Sequence, residues 1–383
     1  MENLLPGRLL PSEDSACFVT ERNYPLDWAH GTQSLGSLLD ASTKVAATMF
    51  REPSLGQLSF RDFVFLDTET TGLSGGTGTI AFLVGVGFFE GSQFVVRQFF
   101  LRSPDDEPAM LAALTEQLVS HPGIVSFNGR SFDIPLLETR YILNRRPPPF
   151  SDSPHLDLLQ PARRLWRGSL DSCRLISLEE QVLGIRRDQT DIPGGLIPGI
   201  YRDYLRTGNG IEMPRIFYHN RVDVLSMVTL ISQLCRIFEQ PSAEVDKGEH
   251  WFSLARWYEA LGLTARAEEA YRCAIATGLT TAAFQDALSR LGRLLKRSGR
   301  RDDAQVIWRQ LAAVEMDDVR GHIEMAKHCE WHTRELGEAA DWTRGALRLA
   351  GRWPRRTQST ARPELTHRLA RLERKLVKST SRQ

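Results

Sequence analysis

Apolar residues begin to cluster in short runs from position 62 onward. The segment "DFVFLDTET" (62–70) sets an unbroken apolar run between polar residues, the pattern of a strand buried on both faces. "TIAFLVGVGFFEG" (79–91) and "QFVVRQFFL" (93–101) are rich in β-branched and aromatic residues, and the short polar break between them predicts a hairpin. A helix is expected over 107–120, with Pro108 in its first turn, where the missing N–H is harmless. "GIVSF" (123–127) predicts a second buried strand, 132–144 a helix, and "HLDLL" (155–159) a short strand. A helix over 172–184 closes on Gly184. "DIPGGLIPGIYRDYLRTGNG" (191–210) reads as an irregular segment bordering a cleft, and 213–238 as a long helix. Strands first, then strands alternating with helices, predict an α/β layer around a mixed sheet.

The pattern changes again after a polar, turn-rich stretch at 239–250. Trp251, Leu254, Ala255 and Tyr258, followed by Ala267, Tyr271 and Ala274, return as Leu288, Leu291, Gly292 and Leu295, followed by Ala304, Trp308 and Leu311, 37 residues on. A weaker third copy at Ile323, Ala326, Glu330, Ala339, Thr343 and Ala346 is offset by 35. Small residues that let paired helices approach, with aromatics between them, resemble the tetratricopeptide repeat, whose period is about 34 residues. Leu365, Leu369, Leu372 and Leu376 form one stripe of a final helix that is otherwise basic, as suits a solenoid cap. The expected organisation is an N-terminal extension (1–58), an α/β domain (59–240), a linker (241–250), a helical-repeat domain (251–350) and a basic capping helix and tail (351–383).

Charge and cysteine content narrow the function classes. The net charge is +1, but 351–383 holds ten Lys or Arg against two Glu, so that tail is +8 and the remainder about −7. The body is therefore no general polycation, and any nucleic-acid binding must rely on a local groove or on metal ions. Five scattered cysteines without a CxxC pair point to neither a disulfide framework nor a zinc site. With no sustained apolar N-terminal run and no run of 18 apolar residues, the expectation is a cytoplasmic protein without a membrane span.

The chemistry lies in three acidic segments. Asp67 and Glu69 are i and i+2 at the end of a strand, so both project from one face. Like charges so close repel unless a cation sits between them, although an acid at a strand end can also cap a turn. Asp133 in "VSFNGRSFDIP" follows a buried strand near a helix start, where a helix dipole also favours an acid. His219 and Asp223 in "YHNRVDVLSM" are i and i+4 on one helix face, and Asp223 interrupts an apolar helix, where an unpaired charge is costly.

Taken together, "FLDTETTGL", "FNGRSFDIPLLETR" and "HNRVDVLSM" resemble the DnaQ-like (DEDD) 3′–5′ exonuclease superfamily, with its RNase H-like fold, and more narrowly the YprB-type RNase H-like domain, often followed by tetratricopeptide repeats. The resemblance implies that Asp67, Glu69, Asp133 and Asp223 hold two divalent cations, Mg²⁺ or Mn²⁺, with Asp67 bridging both, and that the chain hydrolyses DNA or RNA. It implies His219 as the general base or water-orienting group. The family places a His five residues, or a Tyr four residues, before the last acid, whereas here Tyr218 is at five and His219 at four. Four helical residues turn about 400° and five about 500°, which brings His219 nearer the face of Asp223. The rival reading is a catalytically degenerate nucleic-acid-binding module on a repeat scaffold.

Other residues carry two readings each. Thr70, Thr71, Gly72 and Asn128 suit contacts to a terminal nucleotide or ordinary turn chemistry. Asp157 suits a helix cap more than a fifth ligand. "SGGTGT" (74–79) lacks the G-K-[ST] ending of a phosphate-binding loop. Arg202 and Arg206 suit phosphate contacts or a solvated helix face. The repeats suit a protein partner on their concave side.

Overall fold

The computed structural model describes residues 1–12, 15–72, 78–314, 318–352 and 355–380, the side chains of 355–361 and 379–380 excepted. Most of the "SGGTGT" segment lies outside the described residues. The chain divides into two units, Met1–Glu244 and Val245–Gln383.

The first unit contains strands β1 (Arg8–Pro11), β2 (Ala16–Pro25), β3 (Ala29–His30), β4 (Gln33–Ser34), β5 (Phe63–Thr70), β6 (Ala81–Glu90), β7 (Gln93–Phe100), β8 (Gly123–Ser126) and β9 (His155–Asp157). Its helices are α1 (Thr43–Phe50), α2 (Glu107–Val119), α3 (Asp133–Leu143), α4 (Leu159–Trp166), α5 (Leu175–Leu178), α6 (Ile197–Thr207), α7 (Met213–Glu239) and α8 (Pro241–Glu244). Seven strands make one sheet in the order β1-β2-β7-β6-β5-β8-β9, and β3 and β4 pair separately. The β5–β8 and β8–β9 pairs are parallel and the others antiparallel, giving the mixed sheet flanked by helices that the alternation of elements predicts.

β5 lies between β6 and β8, which explains its apolar run: Phe63, Val64, Phe65 and Leu66 are all buried. Val64 and Leu66 enter a core with Leu111 and Leu114 of α2 and Leu136 and Leu137 of α3. Phe65 and Asp67 lie in register with Gly87 and Gly85 of β6 on the face that α7 crosses. Those glycines make room for the helix. A Cβ at Gly85 would lie 2.1 Å from Asn220 Oδ1, and one at Gly87 would lie 2.6 Å from Val224 Cγ1.

Two expectations need correction, and the N-terminal extension, residues 1–58, packs into the first unit: β2 pairs with β7 over Phe18–Pro25, β1 pairs with β2, and Gln33 accepts from Ser232 of α7. Their apolar positions are interleaved with polar ones that bond to the sheet and helix, so no clear period marks them. The expected helix over 172–184 is shorter and changes pitch, from α5 to a π-helical turn at Glu179–Leu183, before Gly184 closes it with φ +67°. The segment 191–210 is not irregular throughout. α6 occupies Ile197–Thr207, begun by Pro198 and ended by Gly208 at φ +73°, and the Tyr201 ring stacks on Phe82 at 3.8 Å.

The second unit is all-helical: α9 (Gly248–Ala260), α10 (Thr264–Thr277), α11 (Thr281–Arg297), α12 (Arg301–Ala313), α13 (Arg320–His328), α14 (Leu336–Ala350) and α15 (Arg355–Thr380), with a π-helical turn at Cys329–Thr333 extending α13. Each helix packs on the next. The small residues sit where neighbours are closest, since a Cβ at Gly292 would lie 2.3 Å from Trp308 Nε1. Leu365 and Leu372 of the final stripe are buried. Among the described residues no helix is long and apolar enough to cross a membrane.

Candidate active site

The C-terminal ends of the parallel strands β5, β8 and β9 lie side by side, the place where open α/β sheets present ligand sites. Asp67 and Glu69 stand at the end of β5, where the ladder to β6 shifts register between Glu69 and Thr70. The chain leaving β8 makes a tight loop and starts α3 with Asp133. α7 brings His219, Asn220 and Asp223 over the same strand end.

Specific contacts fix each acid. Asp133 Oδ1 accepts from the hydroxyl of Thr68 on β5. α3 itself is tied to α2 by a bidentate pair in which Arg140 Nε and Nη2 each reach a Glu107 oxygen at 2.6 Å. Asp67 Oδ2 accepts from Asn220 Nδ2 at 2.8 Å. Asn220 is fully buried, and its Oδ1 accepts from Gln98 Nε2 at 2.7 Å. Gln98 also accepts from Thr20 of β2, so the N-terminal strand reaches Asp67 through a hydrogen-bond chain.

The four acids lie close enough for their charges to act on one another. Glu69, His219 and Asp223 each place a potential ligand atom within 4.8 Å of the others. Burial, then the charges of Asp223, Glu69 and Asp133, hold the Asp67 carboxyl well above the usual carboxylate range. Glu69 is raised likewise by burial and by Asp223 and Asp133. Burial carries Asp133 up to about 6 against the pull of its bond from Thr68. Burial also raises Asp223, and Arg187 opposes that rise. This is the signature of carboxylates that share a site and lack enough counter-charge. Hard oxygen donors converging in this way fit Mg²⁺ or Mn²⁺.

His219 and Tyr218 diverge. His219 Nδ1 lies 2.8 Å from Asp191 Oδ1, and its Nε2 lies 3.7 Å from Asp223 Oδ2. A carboxylate only accepts, so Nδ1 turns a hydrogen to Asp191 while Nε2 faces the acids. Arg187 Nη1, 3.1 Å from the same Nδ1, is itself a donor and is no partner for it. The Tyr218 hydroxyl instead accepts from the Asp188 backbone N–H at 3.1 Å. Arg215 of α7 holds the loop that carries Asp191, donating to the carbonyls of Thr190 and Asp191 at 2.9 and 3.0 Å.

The remaining candidates divide. The Thr70 hydroxyl donates to Gly72 O at 2.7 Å and the Thr71 hydroxyl accepts from Ile80 N at 3.0 Å, so both close the turn after β5. Asn128 adopts φ +68°, and its N–H donates to Asp157 Oδ1 at 2.8 Å. Asp157 also accepts from the N–H groups of Arg130 and Leu159. It therefore caps the helix start and shapes the loop leading to Asp133. Arg206 pairs with Asp203 on an exposed helix face, and Arg202 Nε donates to Pro198 O.

Four residues at the site escape sequence reasoning: Arg187, Glu179, Asp191 and Asn220. Arg187 donates through Nε and Nη2 to Glu179 at 2.6 Å each, and Nη2 also reaches Asp223 Oδ1. Of the four, Asn220 alone had a local signal, a polar residue beside His219 on an otherwise apolar helix.

Comparison with known proteins agrees with this architecture. Residues 64–235 match the RNase_H superfamily. The chain is also 31% identical over 376 residues to the uncharacterized protein YprB of Bacillus subtilis (strain 168), an alignment covering 95% of this chain and 87% of that protein. The near full-length similarity shows that the chain belongs to the family that includes YprB, and residues 64–235, which build most of the mixed sheet, are its RNase H superfamily domain.

Proposed function

We propose that the chain is a metal-dependent nuclease, a 3′–5′ exonuclease of the DEDD type, acting on DNA or RNA. The observation that carries this reading is the convergence of Asp67, Glu69, Asp133 and Asp223, from three separate segments of the sequence, with too little counter-charge. These residues would hold two divalent cations, Mg²⁺ or Mn²⁺, whose chemistry is to neutralise a phosphodiester and lower the barrier to water attack. Asn220 fixes the Asp67 carboxylate and Thr68 fixes that of Asp133. Asp191 holds His219 with Nε2 bare, so that Nε2 takes the proton from the attacking water. The order in which His and Tyr precede the last acid differs from the family pattern, yet the imidazole is the group that stands at the acids.

We read the helices of the second unit as tetratricopeptide-like repeats that bind a protein partner. The recurrence at 37 and then 35 residues supports this, as does the tight approach at Gly292. All five cysteines are free thiols, which suits a cytoplasmic setting.

The test is incubation with end-labelled DNA and RNA oligonucleotides in Mg²⁺ or Mn²⁺ beside Asp223→Ala. Stepwise shortening from the 3′ end by the wild type alone is expected. Internal cuts would make it an endonuclease on the same fold, and equal activity in the variant would remove the proposal.

A further inference from the structure

Arg187 is a permanent cation among residues suited to hold cations. Its side chain is 6% exposed, and both its Nε and its Nη2 are 2.6 Å from Glu179, whose side chain is fully buried. Glu179 belongs to the π-helical turn, and its carbonyl accepts from Ile185 N at 2.8 Å, so the anchor is set by the backbone on either side. For the guanidinium to leave, a buried carboxylate would be stranded, which is strongly unfavourable.

The same guanidinium draws on the acids. Nη2 donates to Asp223 Oδ1, and Nη1 lies 3.6 Å from Asp191 Oδ2. Asp223 therefore offers a divalent cation its second oxygen, Oδ2, the one facing His219 Nε2. Any ion taken up by the group of Glu69, His219 and Asp223 shares Asp223 with a fixed positive charge a few ångströms away.

We propose that Arg187, pinned by Glu179, is a positioning and tuning residue: it orients Asp223 through one oxygen and, by its charge, sets the cation position that uses Asp223 to a lower affinity than the one that does not. This rests on the two-cation reading above. Arg187 touches no reacting atom. It acts through Asp223, and Glu179 acts through Arg187. The pair makes the two positions unequal without altering the four acids.

Two opposing substitutions separate this from a merely structural role. Arg187→Gln removes the competing charge and should tighten the weaker divalent step. Glu179→Gln keeps the cation, frees it from its anchor and strengthens its hold on Asp223, so it should weaken the same step. A role confined to holding the fold together would weaken binding in both. The expected change is on the order of tenfold in each direction, the scale of a unit charge acting on a divalent ion at a few ångströms in a well-screened site. Arg187→Lys keeps the charge and should stay within about threefold of wild type.

The experiment is calorimetric titration of the full chain with Mn²⁺, without nucleic acid, after circular dichroism has shown each variant folded. Because Arg187→Gln strands Glu179, the double variant Glu179→Gln with Arg187→Gln is titrated as well. It buries neither charge alone and should bind as tightly as the single Arg187→Gln. Shifts in the same direction for Arg187→Gln and Glu179→Gln, or no shift in either, overturn the inference while leaving the cation site intact. Absence of any Mn²⁺ binding by the wild type would overturn the two-cation reading and this inference with it.

Discussion

Asn220 Nδ2 donates to Asp67 Oδ2 across 2.8 Å, tying the helix that carries Asp223 to the strand that carries Asp67. The bond exists because Gly85 has no side chain, so α7 can press against β6 at that level. Replacing Asn220 with Ala leaves Gln98 Nε2 with the Phe217 carbonyl as its one remaining acceptor and takes the side-chain donor from Asp67. The expected cost is about 1–3 kcal/mol of stability, measured by urea unfolding. Mn²⁺ affinity should fall roughly 10-fold to 100-fold, as for other partners that orient metal ligands. Gly85→Ala should reproduce both effects by displacing the same side chain. An Asn220→Ala protein with wild-type Mn²⁺ affinity would show that the bond does not organise the acids.

The clustered acids make stability depend on pH in opposite senses with and without metal. Asp133 ionises at about 6 in the folded chain against an ordinary value of 3.8, and Asp67 and Glu69 are raised as well. A folded state that holds protons the unfolded chain has released loses stability as pH rises. In the metal-free protein, melting temperature should therefore fall between about pH 4 and pH 6 on account of Asp133, and the raised Asp67 and Glu69 carboxyls act in the same direction. Divalent cations compete with those protons, so the stabilisation they give should grow over the same range and reach about 2.7 kcal/mol at a hundredfold excess over Kd. Melts with EDTA and with Mn²⁺ at several pH values test this. Parallel curves would contradict it.

Asp191 decides which nitrogen of His219 is bare. With Asp191 removed, Arg187 Nη1, 3.1 Å from Nδ1, becomes the neighbour that sets the tautomer, and a donor there makes Nδ1 the acceptor. Nε2 then carries the hydrogen and cannot accept one from water. Asp191→Ala should lower kcat roughly 100-fold or more while KM changes little, in line with other orienting carboxylates. Mn²⁺ titration should remain close to wild type, because the four acids proposed to hold the cations are retained. Equal loss in kcat and in Mn²⁺ affinity would instead assign Asp191 to the cation site.

How far the sequence shows this site depends on the range of each interaction. Asp67, Glu69 and Asp223 are visible because each breaks a local rule, a charge at the end of an apolar strand or inside an apolar helix, whereas Asp133, an ordinary helix-start acid taken alone, and His219 stand out only through their spacing to these three. Arg187, Asp191 and Glu179 break none. They lie in a loop and a short helix where charges are ordinary, and only the fold brings them to α7. Strand β2 was hidden for a related reason. "ACFVTERNYP" carries its polar residues at edge positions that pair with β7, so the alternation is incomplete although Cys17, Phe18 and Val19 are buried. Helix α6 was masked by flanking glycines and prolines that begin and end it. The all-helical second unit was legible because its pattern of small and aromatic residues recurs.

Glu330 should act as the fastener of the last helix. Its side chain is fully buried, and it accepts from Arg368 at 3.0 Å, Arg371 at 2.6 Å and Lys375 at 2.7 Å, all on α15. These cations hold the Glu330 carboxyl below its ordinary range. A folded-state value depressed in this way contributes stability above the unfolded value that is lost as pH falls through the folded one. Arg371 and Lys375 are about one-third and one-half exposed and can turn to water when Glu330 is lost, so Glu330→Ala should cost only about 1–3 kcal/mol rather than the larger penalty of stranding buried charges. The loss should appear locally, as faster amide hydrogen exchange over 362–378, with the α/β unit unchanged. Glu330→Gln keeps the shape and one acceptor oxygen and should recover part of the protection. Unchanged exchange in Glu330→Ala would mean that the Leu365 and Leu372 stripe alone docks the helix.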